Sequence, residues 1–391
     1  MYDPTLTYRK LAGSGKFGSS LTESATLVRF PKMEVRRFEL PISSFFYEFS
    51  FQKGSYVYIT FVFSTVSRIV SRLRRSFSKK MLILLAAAAS ALSPGDTVTV
   101  LGASGNVGKL VALRLADSFQ VRGVVRDASR ARTFLGDKVE LYEADLRSDD
   151  VTAALRPALD GAQGLVICTG TTAFPTQAWS PTGRDGVGWP VLKALFDERE
   201  AGSASEIVRS AIGRLSEAGF NTPRVVDDEA NAKIIAAWAA AAGADRQRLV
   251  LLSSVGVQRR DQMPYPILNA CGVLDAKASA EAAIVADAAA AGYSYTFVRP
   301  SQLFGGPYDN NYYLGTLFQL DKDADTREVL LGRGDVTLND DPQLGTLRST
   351  LAEVIAQTLE TGAALDKDFT VVNAKGEFPD AQTLRERLAG L

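Results

Sequence analysis

The chain has 391 residues, with 44 basic and 44 acidic side chains, two cysteines and no histidine. Without imidazole there is no Ser-His-Asp or Cys-His relay, no histidine-containing zinc site and no pH sensing by histidine. Chemistry must come from Lys, Tyr, Ser, carboxylates or a cofactor. The zero net charge is uneven: residues 1–94 hold 14 basic and 5 acidic side chains, and residues 95–391 hold 30 basic and 39 acidic ones. An acidic body argues against a broad phosphate-binding surface, so no nucleic acid is expected as a partner.

Residues 1–94 read as a targeting segment, disordered or cleaved. Ser64 to Lys80 is rich in Ser and Arg and has no acid, the composition of an organellar transit peptide. Met81 to Ser93 follows with an apolar run and a small-residue end at Ala89 to Ala91, the layout of a cleavable signal. That run, like Tyr56 to Val66, is too short to cross a bilayer, which takes roughly 20 residues. A second reading makes Met81 the initiator. Either way the segment lies outside the folded body, which is expected to carry no transmembrane span.

From Asp96 the pattern is strand, turn, helix, repeated. Predicted strands cover 97–102, 120–126, 139–145, 164–170, 248–257, 293–300, 328–332 and 368–374. Helices are predicted over 107–118, 129–135, 149–158, 227–242, 275–291, 349–361 and 381–388. Apolar strands alternating with helices imply an α/β, doubly wound Rossmann fold with a mainly parallel sheet covered on both faces. Residues 180–222 break the rhythm. They read as an insertion after the fourth strand with one helix at Ser205 to Ala218, and the C-terminal part reads as a small substrate-side region. Cys168 and Cys271 fit no metal or Cys-x-x-Cys spacing and read as packing residues; no metal site is expected.

Gly102, Gly105 and Gly108 in GASGNVG stand directly after a strand and before a helix. Glycine suits a tight turn, close approach to a pyrophosphate and helix-on-strand packing, while the helix N-terminus offers free N–H groups. Ser104, Asn106 and Val107 complete this candidate phosphate loop. The second strand ends at Arg126, where a guanidinium pairs with a 2′-phosphate, so NADP(H) is favoured over NAD(H); nearby Asp127 keeps NAD open. Asp145-Leu146 ends the third strand, where a carboxylate can reach the adenine amino group. Thr169-Gly170 ends the fourth, where backbone passes close to the cofactor.

Together these segments, with LVLLSSVGV, PYPILNACGVLDAK and YTFVRPSQLFGGPY, resemble the short-chain dehydrogenase/reductase superfamily. The likeness is to its atypical NAD(P)-binding branch, which includes NmrA-like and plastid Rossmann-fold proteins. It covers about residues 96–375 without the insertion. Catalytic members use a Ser, and a Tyr and Lys spaced Tyr-x-x-x-Lys so that the ammonium lowers the phenol pKa. The resemblance assigns Ser253 or Ser254 to the serine position, with Ser254 and Lys277 as candidate catalytic residues. Ser253, Lys277 and Pro300 become candidate cofactor contacts. The position four before Lys277 is Val273, so the phenol is missing; Tyr265 and Tyr293 lack the spacing and read as packing aromatics. Two functions stay open: an NADPH-dependent oxidoreductase acting on a small molecule, with water, Lys277 or a tyrosine of the loop Gly305 to Tyr313 as proton donor, or a catalytically weak NADP(H)-binding scaffold or redox sensor assisting a plastid complex.

Overall fold

Val, Ile and Leu runs closed by glycine or charge favour strands, and the Ala- and Leu-rich stretches between them favour helices. The computed structural model describes residues 33–39, 45–51, 91–306 and 325–391. The expected transit stretch, the signal stretch up to residue 90, and most of the loop Gly305 to Tyr313 lie outside the described residues; Leu92, placed by the sequence reading outside the folded body, is buried in its core, where its amide donates to the Leu359 carbonyl at 3.2 Å. The chain divides into two units, Met1–Ser76 and Phe77–Leu391. Within the first, β1 (Met33–Glu39) and β2 (Phe45–Phe51) pair antiparallel, Met33 opposite Phe51 and Glu39 opposite Phe45. The sequence reading assigned no element there.

The second unit is built on one sheet. Its strands are β3 (Thr97–Leu101), β4 (Gln120–Val125), β5 (Glu140–Glu143), β6 (Gly164–Ile167), β7 (Arg248–Leu252), β8 (Ser294–Pro300), β10 (Glu328–Arg333) and β12 (Lys367–Ala374), separated by the short β9 (Leu303–Phe304) and β11 (Thr346–Leu347). The eight-stranded order is β10-β12-β8-β7-β6-β3-β4-β5. All neighbours are parallel except β10 against β12. This is the expected doubly wound Rossmann arrangement: the chain runs outward from β3 through β4 to β5 on one side and from β6 through β7 to β8 on the other, and a crevice opens at the carboxyl ends of β3 and β6.

Both faces of the sheet are covered. Val98, Val100, Val166, Val250 and Val298 face one core with α1 (Gly108–Leu115), which comes before α2 (Ala128–Leu135) in the chain. Leu101, Leu165, Ile167, Leu249, Leu251 and Phe297 face the other, with α3 (Val151–Leu159). That alternation follows from the strand period of two, and with both faces apolar the strands read as continuous hydrophobic runs. Predicted boundaries shift by a few residues. The largest difference is at strand ends such as 168–170 and 253–257, which leave the ladder to form the crevice.

The insertion holds two helices rather than one: α4 (Gly188–Asp197) and α5 (Ala204–Glu217). Pro190 sits in the first turn of α4, where its missing N–H costs nothing. Ser203 and Glu206 form a capping box at α5. Trp179, Val187, Ala194, Ala211 and Leu215 make a small separate core, against which Cys271 packs. After it come α6 (Ala230–Ala242), α7 (Tyr265–Leu268), α8 (Val273–Ala291), α9 (Arg348–Thr361) and α10 (Ala381–Ala389). Residues 224–229, expected as ordinary helix from Asp227 onward, form a π-helical turn leading into α6. Among the described residues no helix is long and apolar enough to cross a membrane.

Candidate functional site

The phosphate loop is where the glycines are spent. Gly102 has φ +76°, and a Cβ there would lie 3.1 Å from both the Thr169 amide N and its Cγ2. Left-handed backbone and close approach together require glycine. A Cβ on Gly108 would run into the Gly102 carbonyl, so α1 can seat its first turn against the end of β3 only without one. Gly105 is exposed, Ser104 and Asn106 are half-buried, and the buried Val107 takes the N-cap position without a side-chain cap. The Lys109 amide bonds the Gly105 carbonyl at 3.0 Å, and no side chain caps the positive N-terminal end of the α1 dipole that an anion needs.

The same contact ties the loop to the rest of the crevice. Thr169, which backs Gly102, has a buried Oγ1 with no hydrogen-bond partner. Next to it, a Cβ on Gly170 would sit 3.5 Å from Lys277 Nζ and 3.2 Å from Asp227 Oδ1. Lys277 Nζ donates to Asp227 Oδ1 at 2.8 Å, and the Thr171 amide donates to Asp227 Oδ2 at 3.1 Å. The Asp227 side chain is fully buried, while that of Lys277 keeps 13% exposure. Burial pushes the Asp227 carboxyl above its ordinary pKa, and the Lys277 charge and these hydrogen bonds pull it back. Gly102, Thr169, Gly170, Asp227 and Lys277 thus meet at the topological switch point. Asp227 escaped the sequence reading; the signal was an acid within VVDDEAN at the start of an otherwise apolar helix, and the π turn is what aims it.

The serines separate. Ser253 Oγ donates to Glu281 Oε1 at 2.6 Å, and Glu281 in turn receives two bonds from the buried Arg299, which also pairs with Asp368. Ser253 is 3% exposed, and its hydroxyl is committed to Glu281. Ser254 is half-buried and its Oγ donates to the Val255 carbonyl at 3.0 Å. Val273, at the place of the missing phenol, is buried against Val257 and Leu274. Tyr265 packs on that cluster, its ring filling the space a Gly256 Cβ would take. Tyr293 stacks edge-on against Trp238 at 5.0 Å. Both tyrosines are packing residues as expected. Pro300 is buried at the end of β8, where its carbonyl accepts from the Val255 amide at 3.0 Å. Burial pushes the half-buried Cys168 thiol up to about 12, so it stays protonated.

At the other end of the crevice, Arg126 is exposed at the tip of β4. Asp127, which kept NAD open, caps α2 by accepting from the Arg130 amide at 2.8 Å. Asp145 does not stand free for an adenine. Both its oxygens are taken by Arg147, Oδ1 from Nε at 3.0 Å and Oδ2 from Nη2 at 2.6 Å, which holds the carboxyl below its usual range. Leu146 is half-buried and packs on the core beneath.

These features are a dinucleotide crevice, and the sequence profile of the NAD(P)H-binding family matches residues 102–336. The chain belongs to that family. This agrees with the resemblance to the atypical short-chain dehydrogenase/reductase superfamily. No curated protein matches the chain. Similar solved structures include an oxidoreductase from Lactococcus lactis, 14% identical over 75% of this chain and 96% of that one, TM-score 0.45. Others are a Rossmann-fold NAD(P)-binding family protein from Shigella flexneri (16% identical, 73% and 98% covered, TM-score 0.40) and an anaerobillin reductase from Escherichia coli O157:H7 (17%, 73% and 100%, TM-score 0.41).

Proposed function

We propose that this NAD(P)H-binding protein is an NADP(H)-dependent oxidoreductase acting on a small molecule. The observation that carries the proposal is the continuous run of contacts from Gly102 through Thr169 and Gly170 to the Lys277–Asp227 pair. The residues fit the cofactor: two glycine positions leave cradles that any Cβ would fill, and the orphaned Thr169 hydroxyl lies between them and Lys277. The Gly102 to Gly108 backbone would hold the pyrophosphate, and Arg126 would meet a 2′-phosphate. When bound, the nicotinamide supplies or takes a hydride. The chain's part is the proton. With Val273 in place of a phenol, Lys277 Nζ is the donor nearest the strand ends; Asp227 fixes its direction, and Ser254 is placed to orient a substrate oxygen.

Purified full-length protein should quench and shift NADPH fluorescence on binding, and should oxidise NADPH with at least one member of a carbonyl, quinone and enone panel. Lys277→Ala should abolish that turnover. Tight binding without turnover across the panel would refute the enzyme reading. One observation favours the alternative: the phenol position is filled by a buried valine while the whole phosphate loop is kept. A binding module of that kind, loaded with NADP(H) and assisting a plastid complex, requires that its reduced and oxidised forms hold partners with different affinity. Equal partner capture in NADPH and NADP+ excludes the sensing form. The plastid address is likewise proposed, and a fluorescent protein carrying residues 1–94 should enter plastids; cytosolic fluorescence would refute it.

A further inference from the structure

We propose that the insertion 180–222 forms part of the cofactor site, with its Arg184 joining Arg126 and Arg147 in a three-arginine pocket for a phosphate monoester, the 2′-phosphate of NADP(H). The proposal rests on the NADP(H) reading above and extends it to residues of the insertion and of the loop after β5.

The two ends of the insertion lie against two of these arginines. At the first end, Arg126 Nη1 donates to the Pro181 carbonyl at 3.4 Å. Gly183 has φ +75°, which favours glycine, and a Cβ there would lie 2.9 Å from Arg126 Nη2, so the chain passes directly over the guanidinium. At the other end, Arg147 Nη1 donates to the Gly219 carbonyl at 2.9 Å. Its Nε and Nη2 each donate one bond to Asp145, which sets the plane of the guanidinium and leaves one further N–H on each of Nη1 and Nη2 for a ligand.

Arg184 is placed by a turn rather than left on a free loop. The buried Ser180 Oγ accepts from the Arg184 amide at 2.9 Å and the Asp185 amide at 3.0 Å. The neck of the insertion is closed by Asn221, whose amide donates to the Trp179 carbonyl at 2.7 Å and whose Nδ2 donates to the Ser180 carbonyl at 2.5 Å. The neighbouring acid Asp185 is turned to Thr182, whose hydroxyl donates to it at 2.6 Å.

Charge then argues for an anion. Among the described residues no carboxylate lies within ion-pair distance of Arg126, Arg130 or Arg184, while Arg147 is paired with Asp145. Although Arg126 is an exposed residue, partial shielding of its guanidinium from water and the like charges of Arg147, Arg184 and Arg130 make the cation less favourable than usual, with Asp145 opposing them. Gathered guanidinium groups, two of the three without a counterion, are stabilised by a dianion that can take several charge-assisted hydrogen bonds at once. A phosphate monoester at the tip of β4 is such a group, and a ribose hydroxyl is not. The insertion would then close over the adenosine end and let its own turn read the phosphate.

The test measures dissociation constants of full-length protein for NADPH and NADH, with 2′,5′-ADP as competitor, for the wild type and for Arg126→Gln, Arg147→Gln and Arg184→Gln. Arg184 is exposed, so its variant should fold, and circular dichroism checks this. The expectation is that Arg184→Gln lowers the NADPH-over-NADH preference about ten-fold, the size of one charge-assisted contact, and weakens 2′,5′-ADP competition in parallel. If Arg126→Gln removes the preference while Arg184→Gln keeps it whole, the insertion is not part of the pocket and only the NADP(H) reading survives. If the wild type itself shows no preference, that reading fails and takes the pocket with it.

Discussion

The two ends of the crevice are built on opposite electrostatic plans. At the tip of β4, Arg126, Arg130 and Arg184 stand without a carboxylate partner among the described residues, and like charges crowd Arg126. At the ends of β6 and β7 the charges are satisfied internally: Lys277 on Asp227, Ser253 and Arg299 on Glu281, Arg299 on Asp368. A site that leaves charge unsatisfied in the protein alone is prepared for a ligand of opposite charge. One that satisfies its charges is prepared to hold a side chain still. The β4 end is therefore built to bind an anion, and the other end is a positioning device around a largely buried ammonium.

The largest expected break of that contrast is Lys277→Met. It leaves the fully buried Asp227 without its partner, and losing one member of a buried pair costs about 3–5 kcal/mol. Because burial raises the Asp227 pKa, its neutral form is the one the folded state tolerates. The folded state then binds a proton more tightly than the unfolded state, so stability is greatest below the unfolded carboxyl value and falls as pH rises through the folded one. Urea unfolding should show the Lys277→Met penalty shrinking from pH 7 to pH 5. A penalty independent of pH would mean the pair is not the source of the loss.

Gly108→Ala comes next. Its Cβ must displace the Gly102 carbonyl, which is backbone and cannot swing away, so overpacking should cost about 1–3 kcal/mol. The same shift deforms the loop meant for the pyrophosphate, and NADPH titration should show affinity falling by more than ten-fold. Retained affinity would place the dinucleotide elsewhere. Ser253→Ala is smaller. It removes one donor from a buried carboxylate, costing about 1 kcal/mol in thermal melts, and should leave NADPH affinity as it is, since the hydroxyl faces the core. A loss of affinity with unchanged stability would return Ser253 to the site.

Much of this was legible in the residues. The period-two apolar runs and the glycine spacing lead directly to a doubly wound, mainly parallel sheet and its glycine loop, because those features are local in sequence and follow from backbone sterics. Asp227, Arg147 and Arg184 were not legible, since their roles depend on what distant segments bring to them. A π turn rotates Asp227 onto Lys277, Asp145 captures Arg147, and a buried Ser180 seats Arg184. Helix α4 was missed for a different reason: Trp189, Leu192 and Phe196 have helical spacing, but they are exposed, and the strand-poor stretch around them hid the pattern.

The smallest effect sharpens the comparison through an arginine of the same helix whose N-terminus faces the crevice. Arg114, near the end of α1, bonds Glu353 at 2.5 Å and Glu360 at 2.8 Å, tying α1 to α9, with side chains about a quarter exposed or less. It has the carboxylates that Arg126 lacks. Burial alone would raise the Glu353 pKa, but bonds from Arg114 and Gln357 bring it below the ordinary value. A depressed carboxyl contributes stability above its unfolded pKa, about 4.3, and loses it as pH falls through the folded value. Glu353→Gln should therefore cost up to about 1 kcal/mol at pH 7, and wild type and variant should converge in thermal melts by about pH 3. NADPH affinity should not follow, because this arginine is already neutralised within the fold. If Glu353→Gln weakened cofactor binding as strongly as the loss of Arg126, paired and unpaired arginines would be doing the same work, and the contrast between the two ends of the crevice would collapse.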